Sequence, residues 1–205
     1  MNDLLSALLG QAESNWGMDE AAIQDAMAKI AFHESKYGTP EYTPMQISDE
    51  SSSGYGPGRG LYQYEIGDKE GAHTAINRLI SFNESRGNQY DISFLDSMIK
   101  NKSYDFSQLT PEQQNMLFLA DKLGDKTANM GRYDTDGDKV LSNEELAGFH
   151  ADEHYAGYGN AQDVIYELMG GQGPTDTPLP ILSQSDIDRQ SFIDKIIKDY
   201  QAYKP

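Results

Sequence analysis

The chain has 205 residues and no cysteine, and its 16 basic and 33 acidic residues give a formal net charge of −17. This length suits one domain with an appendage, and 38% hydrophobic residues are enough to form a core. The acidity argues against nucleic-acid binding, and the lack of cysteine excludes disulfides and thiolate zinc ligands. No apolar run approaches the length of a membrane span, so membrane insertion is not expected. The leucine-rich start has no basic residues, so we expect no signal peptide.

Helical periodicity dominates the chain and predicts a mainly α fold. The predicted helices cover about 19–37, 70–83, 91–100, 110–124, 160–169 and 184–203, and a further helix follows the acidic loop 134–145. Thr110 and Gln113 form a capping box with Pro111 at the first helical position. Strand signals are thin. Residues 38–69 are rich in Gly, Pro, Ser and Tyr and predict a long loop, which in a compact domain is usually functional.

The composition predicts three parts of unequal size. Residues 1–170 form the main domain. Residues 171–183 contain the run GQGPTDTPLP and are typical of a linker. Residues 184–205 predict an amphipathic C-terminal helix through Ile193, Ile196 and similar apolar residues.

The acidic loop 134–145 has the spacing of a calcium site. Calcium takes six to eight oxygen ligands, and the twelve-residue loop supplies them at positions one, three, five, seven, nine and twelve. Those positions are Asp134, Asp136, Asp138, Val140 through its carbonyl, Ser142 and Glu145. The loop closely resembles an EF-hand loop, although Lys139 stands where the family prefers Gly. A single such loop predicts a structural calcium ion, and the simpler alternative is a solvated acidic turn that caps a helix.

Glu34 lies in the last turn of the first predicted helix and continues its apolar stripe. Both the negative end of the helix dipole and desolvation disfavour its charged form, so we expect a raised pKa. A carboxylic acid that stays protonated near neutral pH is what a glycosidase needs as its general acid. The tyrosines of the following loop offer flat faces and hydroxyls for sugar rings. The simpler alternative is a solvated glutamate at a helix end.

Three ordered motifs carry a resemblance to a known family. Glu34-Ser35 ends a helix, Gly60-Leu61-Tyr62-Gln63 follows a loop, and 71–79 begins the next helix. Over roughly 19–125 the chain resembles the lysozyme superfamily, specifically soluble lytic transglycosylases and goose-type lysozymes. Tyr62 replaces the usual Met, and the interval between the first two motifs is long for the family. The resemblance implies a lysozyme-like α+β fold with two lobes and a long loop at the substrate cleft.

The same resemblance implies a function, a partner and a site. Glu34 would be the catalytic acid/base that cleaves the glycan strands of bacterial peptidoglycan, as a lytic transglycosylase or, with Glu65 delivering water, as a lysozyme. The substrate-binding residues would be Ser35, Tyr55, Tyr62, Gln63, Tyr64 and Glu65. The family also favours a phage-encoded protein, in the virion or the host cytoplasm, that acts on the cell wall and contacts other particle proteins.

Two other functions remain open at this point. The first is a non-catalytic, calcium-binding structural or adaptor protein of a phage particle. The second is a zinc peptidase, because His150, Glu153 and His154 form an H-x-x-E-H string in which a glutamate could activate zinc-bound water. Ordinary surface or cleft histidines are the simpler explanation of that string.

Overall fold

The structure is a computed structural model that describes residues 2–47, 55–66, 71–125, 128–154 and 184–204. It is mainly helical, as the periodicity predicts. The helices of the described residues are α1 (Asn2–Trp16), α2 (Glu20–Ser35), α3 (Ala72–Glu84), α4 (Asp96–Asn101), α5 (Pro111–Gly124), α6 (Asn143–His154) and α7 (Gln184–Ala202). Short 3₁₀ turns lie at Ser93–Leu95, Phe106–Gln108 and Met130–Arg132. No helix in this part of the chain is both long and apolar enough to cross a membrane.

A small antiparallel sheet occupies the segment that the sequence predicts to be a loop. Its strands β1 (Met45–Ile47), β2 (Tyr55–Arg59) and β3 (Tyr64–Glu65) lie side by side in chain order. The sequence predicts no strand in this segment, which is wrong. The expectation arises because β2 contains two glycines and a proline, which have low strand propensity. Strand propensity depends strongly on context, and pairing to neighbouring strands outweighs it in this sheet.

The helix α1 was not predicted from the sequence. Leu8, Ala12 and Trp16 follow one another at four-residue spacing and are buried. α1 packs against α2 and α5, and α3 also packs against α5. Leu4, Leu8 and Leu9 of this helix are therefore part of the hydrophobic core.

Helix starts are predicted better than the sheet. Thr110 Oγ1 accepts a hydrogen bond from the Gln113 amide, and the Gln113 side chain accepts one from the Thr110 amide, which confirms the capping box of α5. At the start of α6, Ser142 Oγ accepts from the Glu145 amide at 3.2 Å, and Glu145 Oε2 accepts from the Ser142 amide at 2.9 Å. Both caps satisfy amides that a helix leaves unpaired at its first turn.

α7 packs against α2 and α6 and so reaches the end of α2 where Glu34 lies. Its buried residues Ile193, Ile196 and Tyr200 form the apolar face that the sequence predicts for a C-terminal helix. The predicted helix at 160–169 and the predicted linker at 171–183 lie outside the described residues.

Candidate functional site

The end of α2 fixes the direction of Glu34 and Ser35. Ser35 is 1% exposed and its Oγ donates to the Ala31 carbonyl at 2.8 Å, so this side chain closes the last helical turn. Lys36 then adopts a left-handed conformation with φ 57°, and its amide donates to the Phe32 carbonyl. Ser35 is thus buried within the fold, next to the carboxylate predicted to do the chemistry.

Thr43 links the two sequence motifs of the predicted cleft. Its amide donates to the Ser35 carbonyl at 3.0 Å. The Gln63 side chain donates to the Thr43 carbonyl at 3.4 Å and to the Gly60 carbonyl at 2.7 Å. The Gly60–Gln63 turn is therefore linked through Thr43 to the helix end that carries Glu34.

Gly60 is required for this turn by both conformation and space. Its φ is 79°, a left-handed value that favours glycine, and a Cβ here would collide with Gln114 Oε1. That oxygen accepts a hydrogen bond from the Leu61 amide at 2.6 Å, so α5 holds the turn in place. The glycine that the motif supplies is therefore explained by its close approach to α5.

Glu34 contacts two elements that are far away in sequence. Its Oε1 lies 2.6 Å from Nε2 of His150 on α6, and Nδ1 of the same imidazole lies 2.6 Å from the Tyr200 hydroxyl on α7. The side chains of Glu34 and His150 are 11% and 4% exposed. The carboxyl group and the imidazole are therefore hydrogen-bonded in a largely buried setting, and such a pair can release or accept a proton.

His33 has a similar connection to α7. Its Nδ1 lies 2.8 Å from Oδ2 of Asp199, which also pairs with Lys36 Nζ at 2.8 Å. Burial is the largest cause that lowers the pKa of His33 to about 4, and the neighbouring His150 lowers it further, while Glu34 and Asp199 oppose the shift. His33 is therefore neutral at pH 7. Its ring meets that of His150 edge to face, with the centroids 5.1 Å apart.

Sequence reasoning missed most of this cluster. His33 adjoins Glu34 in the chain, but no local pattern connects them with His150, Asp199 or Tyr200, which lie more than a hundred positions further on. The usable signal was indirect. Asp199 directly precedes Tyr200 of the apolar face, so a charged residue lies at the edge of the face that packs on the rest of the protein.

The predicted substrate-binding tyrosines are held against α5. The Tyr62 hydroxyl donates to Asn115 Oδ1 at 2.7 Å, and its ring stacks on Phe118. The Tyr64 hydroxyl donates to Asp121 Oδ2 at 2.9 Å. Burial raises the pKa of both phenols, so they remain protonated donors.

The other two predicted cleft residues, Glu65 and Tyr55, lie on the strands of the small sheet. The side chain of Glu65 is exposed at the end of β3. Tyr55 begins β2, but its side chain lies outside the described part of the chain.

A groove of about 530 Å³ lies beside this region. It is formed by α1, α2, α5 and the turn after β2, with residues such as Met27, Ala31, Leu61, Tyr62 and Asn115 in its walls. The walls are largely apolar. Tyr62 is the predicted substrate-binding residue that this groove includes, and Glu34 is not among its described wall residues.

The acidic loop brings its first three predicted ligands together. Carboxylate oxygens of Asp134, Asp136 and Asp138 lie within 4.8 Å of one another. Asp134 also accepts hydrogen bonds from the amides of Gly137 at 2.8 Å and Lys139 at 3.0 Å, which fold the loop around its carboxylate.

The last predicted ligands of the loop lie at the start of α6. Glu145 is buried, and its Oε1 accepts from the amide and hydroxyl of Thr135 at 2.7 and 2.6 Å. Ser142 caps the helix, and the side chain of Val140 is exposed, as expected if only its carbonyl is used. The loop is therefore closed from both ends by Glu145.

The H-x-x-E-H string lies within α6. His150 is directed towards Glu34 and Tyr200, whereas the side chains of Glu153 and His154 lie outside the described part. A zinc site on this string remains a prediction.

Comparisons of this chain with protein-family models, with curated proteins and with solved structures find no match. The resemblance to the lysozyme superfamily therefore stays a prediction based on the motifs. The function is inferred below from the site alone.

Proposed function

We propose that the chain cleaves the glycan strands of bacterial peptidoglycan as a lytic transglycosylase, with Glu34 as the acid/base. The observation that carries this proposal is the hydrogen-bonded link through Thr43, which joins the Glu34-Ser35 helix end to the Gly60–Gln63 turn. The contact of the largely buried Glu34 with His150 supports it further, because it gives the carboxyl group a hydrogen-bonding partner that can take part in proton transfer.

The reaction requires two proton transfers, one from Glu34 and one back to it. Glu34 gives its proton to the glycosidic oxygen after N-acetylmuramic acid, and the bond from that oxygen to the anomeric carbon breaks. The ionised carboxylate then takes a proton from the muramic 6-hydroxyl, whose oxygen bonds to the anomeric carbon to close the anhydro ring. His150, hydrogen-bonded to Glu34, stabilises the carboxylate between these steps. In a lysozyme reaction a water molecule would replace the 6-hydroxyl.

The test is loss of turbidity of bacterial walls. Glu34→Gln should lower the rate at least ~100-fold, because it removes the general acid. Glu20→Gln, an exposed change on the same helix, should leave the rate unchanged. Equal rates for wild type and Glu34→Gln would defeat the assignment. Mass spectrometry of the released muropeptides separates the two reactions, since reducing ends alone would indicate hydrolysis rather than an anhydro product.

We also propose that calcium binds the loop 134–145 and acts structurally. The three clustered carboxylates and the buried Glu145 support this role, because the ion would fasten the loop to the start of α6. A ligand that binds only the folded state raises stability by mass action. Chelation should therefore lower the melting temperature, and added calcium should restore it. A melting temperature that responds to neither would contradict a calcium site.

A second candidate function is a non-catalytic structural or adaptor protein of a phage particle. The observation that favours it is the cover over Glu34, whose side chain is only 11% exposed and is linked through His150 to Tyr200 of α7. The same turbidity assay distinguishes the two functions. Absence of wall cleavage by the folded wild-type protein, with and without calcium, would favour the structural role.

A further inference from the structure

His33, Glu34 and His150 form a compact cluster of metal-ligating side chains. Each offers one ligand atom, either a ring nitrogen or a carboxylate oxygen, and these atoms all lie within 4.8 Å of one another. Their side chains are 9%, 11% and 4% exposed. Two imidazoles and one carboxylate are a donor set that zinc and its neighbours in the first transition row prefer, whereas calcium and magnesium prefer oxygen alone.

The outer contacts of both histidines match those of metal-bound imidazoles. Nδ1 of His33 lies 2.8 Å from Asp199 Oδ2, and Nδ1 of His150 lies 2.6 Å from the Tyr200 hydroxyl. Histidines that bind metals almost always donate their second ring N–H to a carboxylate, a carbonyl or another oxygen. Nδ1 of each ring is engaged by α7, and Nε2 is therefore the nitrogen with which each ring would bind a metal.

Little movement is needed to admit an ion. Ligands of tetrahedral zinc lie about 3.3 Å apart, given zinc–nitrogen bonds of about 2.0–2.1 Å. Nε2 of His150 and Oε1 of Glu34 are 2.6 Å apart, a hydrogen-bond distance at which one proton lies between them. A metal would replace that proton and separate the two atoms by less than an ångström, and the ligand atom of His33 lies within 4.8 Å of both.

The local charge also suits a divalent cation. Glu34 and Asp199 bring two carboxylates to the cluster, and Lys36 is the ammonium group paired with Asp199. A doubly charged ion would compensate carboxylates that burial otherwise makes costly.

We propose that His33, Glu34 and His150 form a binding site for a divalent transition metal of the zinc class, and that the bound metal inhibits wall cleavage. The site differs from the H-x-x-E-H string, since it shares only His150 with it. A metal bound to the carboxylate of Glu34 would prevent that group from acting as the acid/base, so cleavage would be inhibited. The inhibitory half of the proposal therefore rests on the proposed function.

Binding is tested on the full chain, stripped of metals and then saturated with calcium so that the loop 134–145 does not compete. Zinc is titrated against a chromophoric chelator, and the melting temperature is followed in parallel. Wild type should bind one zinc ion and melt at a higher temperature with it. His33→Gln and His150→Gln should each weaken binding more than ~10-fold, and Asp199→Asn about 10-fold. His73→Gln, on α3 and outside the cluster, is the matched control and should bind as wild type.

Three results would overturn the site. The first is unchanged affinity in both His33→Gln and His150→Gln. The second is loss of binding in His154→Gln without loss in His33→Gln, which would place the ion on the H-x-x-E-H string. The third needs no variant of the cluster and so does not depend on how such variants fold: a wild-type melting temperature that zinc leaves unchanged.

Inhibition is measured separately, by wall turbidity at zinc concentrations that the titration defines as saturating. Cleavage should fall at least ~10-fold and return on chelation of zinc in the presence of excess calcium. Unchanged cleavage at saturating zinc would overturn the inhibitory half. Zinc binding by a folded protein that never cleaves walls would defeat the proposed function and leave the metal site standing.

Discussion

Lys139 adopts a left-handed backbone conformation, with φ 69°, at the sixth position of the acidic loop. Glycine reaches this region without strain, whereas an L side chain loses roughly 1 kcal/mol there. Lys139→Gly should therefore raise calcium affinity severalfold, because it relieves strain in the bound loop and removes a positive charge beside the carboxylates. Calorimetric titration with calcium measures the change.

Gly137 supplies the matched control within the same loop. Its φ is 78°, and a Cβ at this position meets nothing within 4 Å, so Gly137→Ala adds strain without a collision. We expect weaker calcium binding for Gly137→Ala and tighter binding for Lys139→Gly. Weaker binding of calcium by Lys139→Gly would show that the lysine side chain, rather than its backbone strain, governs the loop.

Single residues also mark the limit of what the sequence predicts. Glu34 is identifiable because its apolar stripe and the motifs after it are local patterns. Its partner His150 is not, because a contact across 116 positions leaves no periodic signal. The H-x-x-E-H string associates His150 with Glu153 and His154, whereas in the structure His150 contacts Glu34.

We expect the free energy of unfolding to fall at acid pH because of His33, which lies at the junction between α2 and α7. The pKa of His33 is lowered to about 4, while in the unfolded chain it returns to about 6.5. Below pH 6.5 the unfolded chain takes up a proton that the folded chain refuses, so stability is lost as the pH falls towards 4. Linkage gives a loss of about 2 kcal/mol between pH 7 and pH 5 from this group. Urea unfolding of the metal-free protein at both pH values measures it.

His33→Gln is the variant that isolates this group from its neighbours. Asp199, Lys36, Glu34 and His150 also face the junction, and they remain in the variant. The fall in stability between pH 7 and pH 5 should be smaller in His33→Gln by about 2 kcal/mol. An equally steep fall in both proteins would assign the acid sensitivity to other groups.

Among the elements, helices with their own start signals were predictable and the sheet was not. α5 begins where Thr110, Pro111 and Gln113 predict, because a capping box acts within four residues. β2 has no such local signal, since its strand is defined by pairing with β1 and β3. α1 has a regular buried stripe of apolar residues. Its helical periodicity is a local pattern, so this helix was also predictable from the sequence.

At the scale of the whole molecule, the net charge of −17 bears on how the protein would meet its substrate. Bacterial walls are often anionic, so at low salt they would repel it. The screening length falls from about 30 Å at ~0.01 M salt to about 8 Å at ~0.15 M. Wall cleavage should therefore rise severalfold over this range.

Walls stripped of their anionic accessory polymers are the control, because their cleavage should vary less with salt. Turbidity assays at both salt concentrations, with calcium held constant, give the comparison. A cleavage rate on walls that falls as salt is added would mean that attraction, not repulsion, brings the protein to its substrate.

The surroundings of Glu34 have a consequence for biosynthesis. His33 and its partner Asp199 are 166 positions apart, and Glu34 and His150 are 116 apart. Contacts between such distant residues form late and slowly, after the local helices. A ribosome must therefore translate through Tyr200 before the cluster can close. Until then a growing chain carries Glu34 without the two elements that surround it in the finished protein.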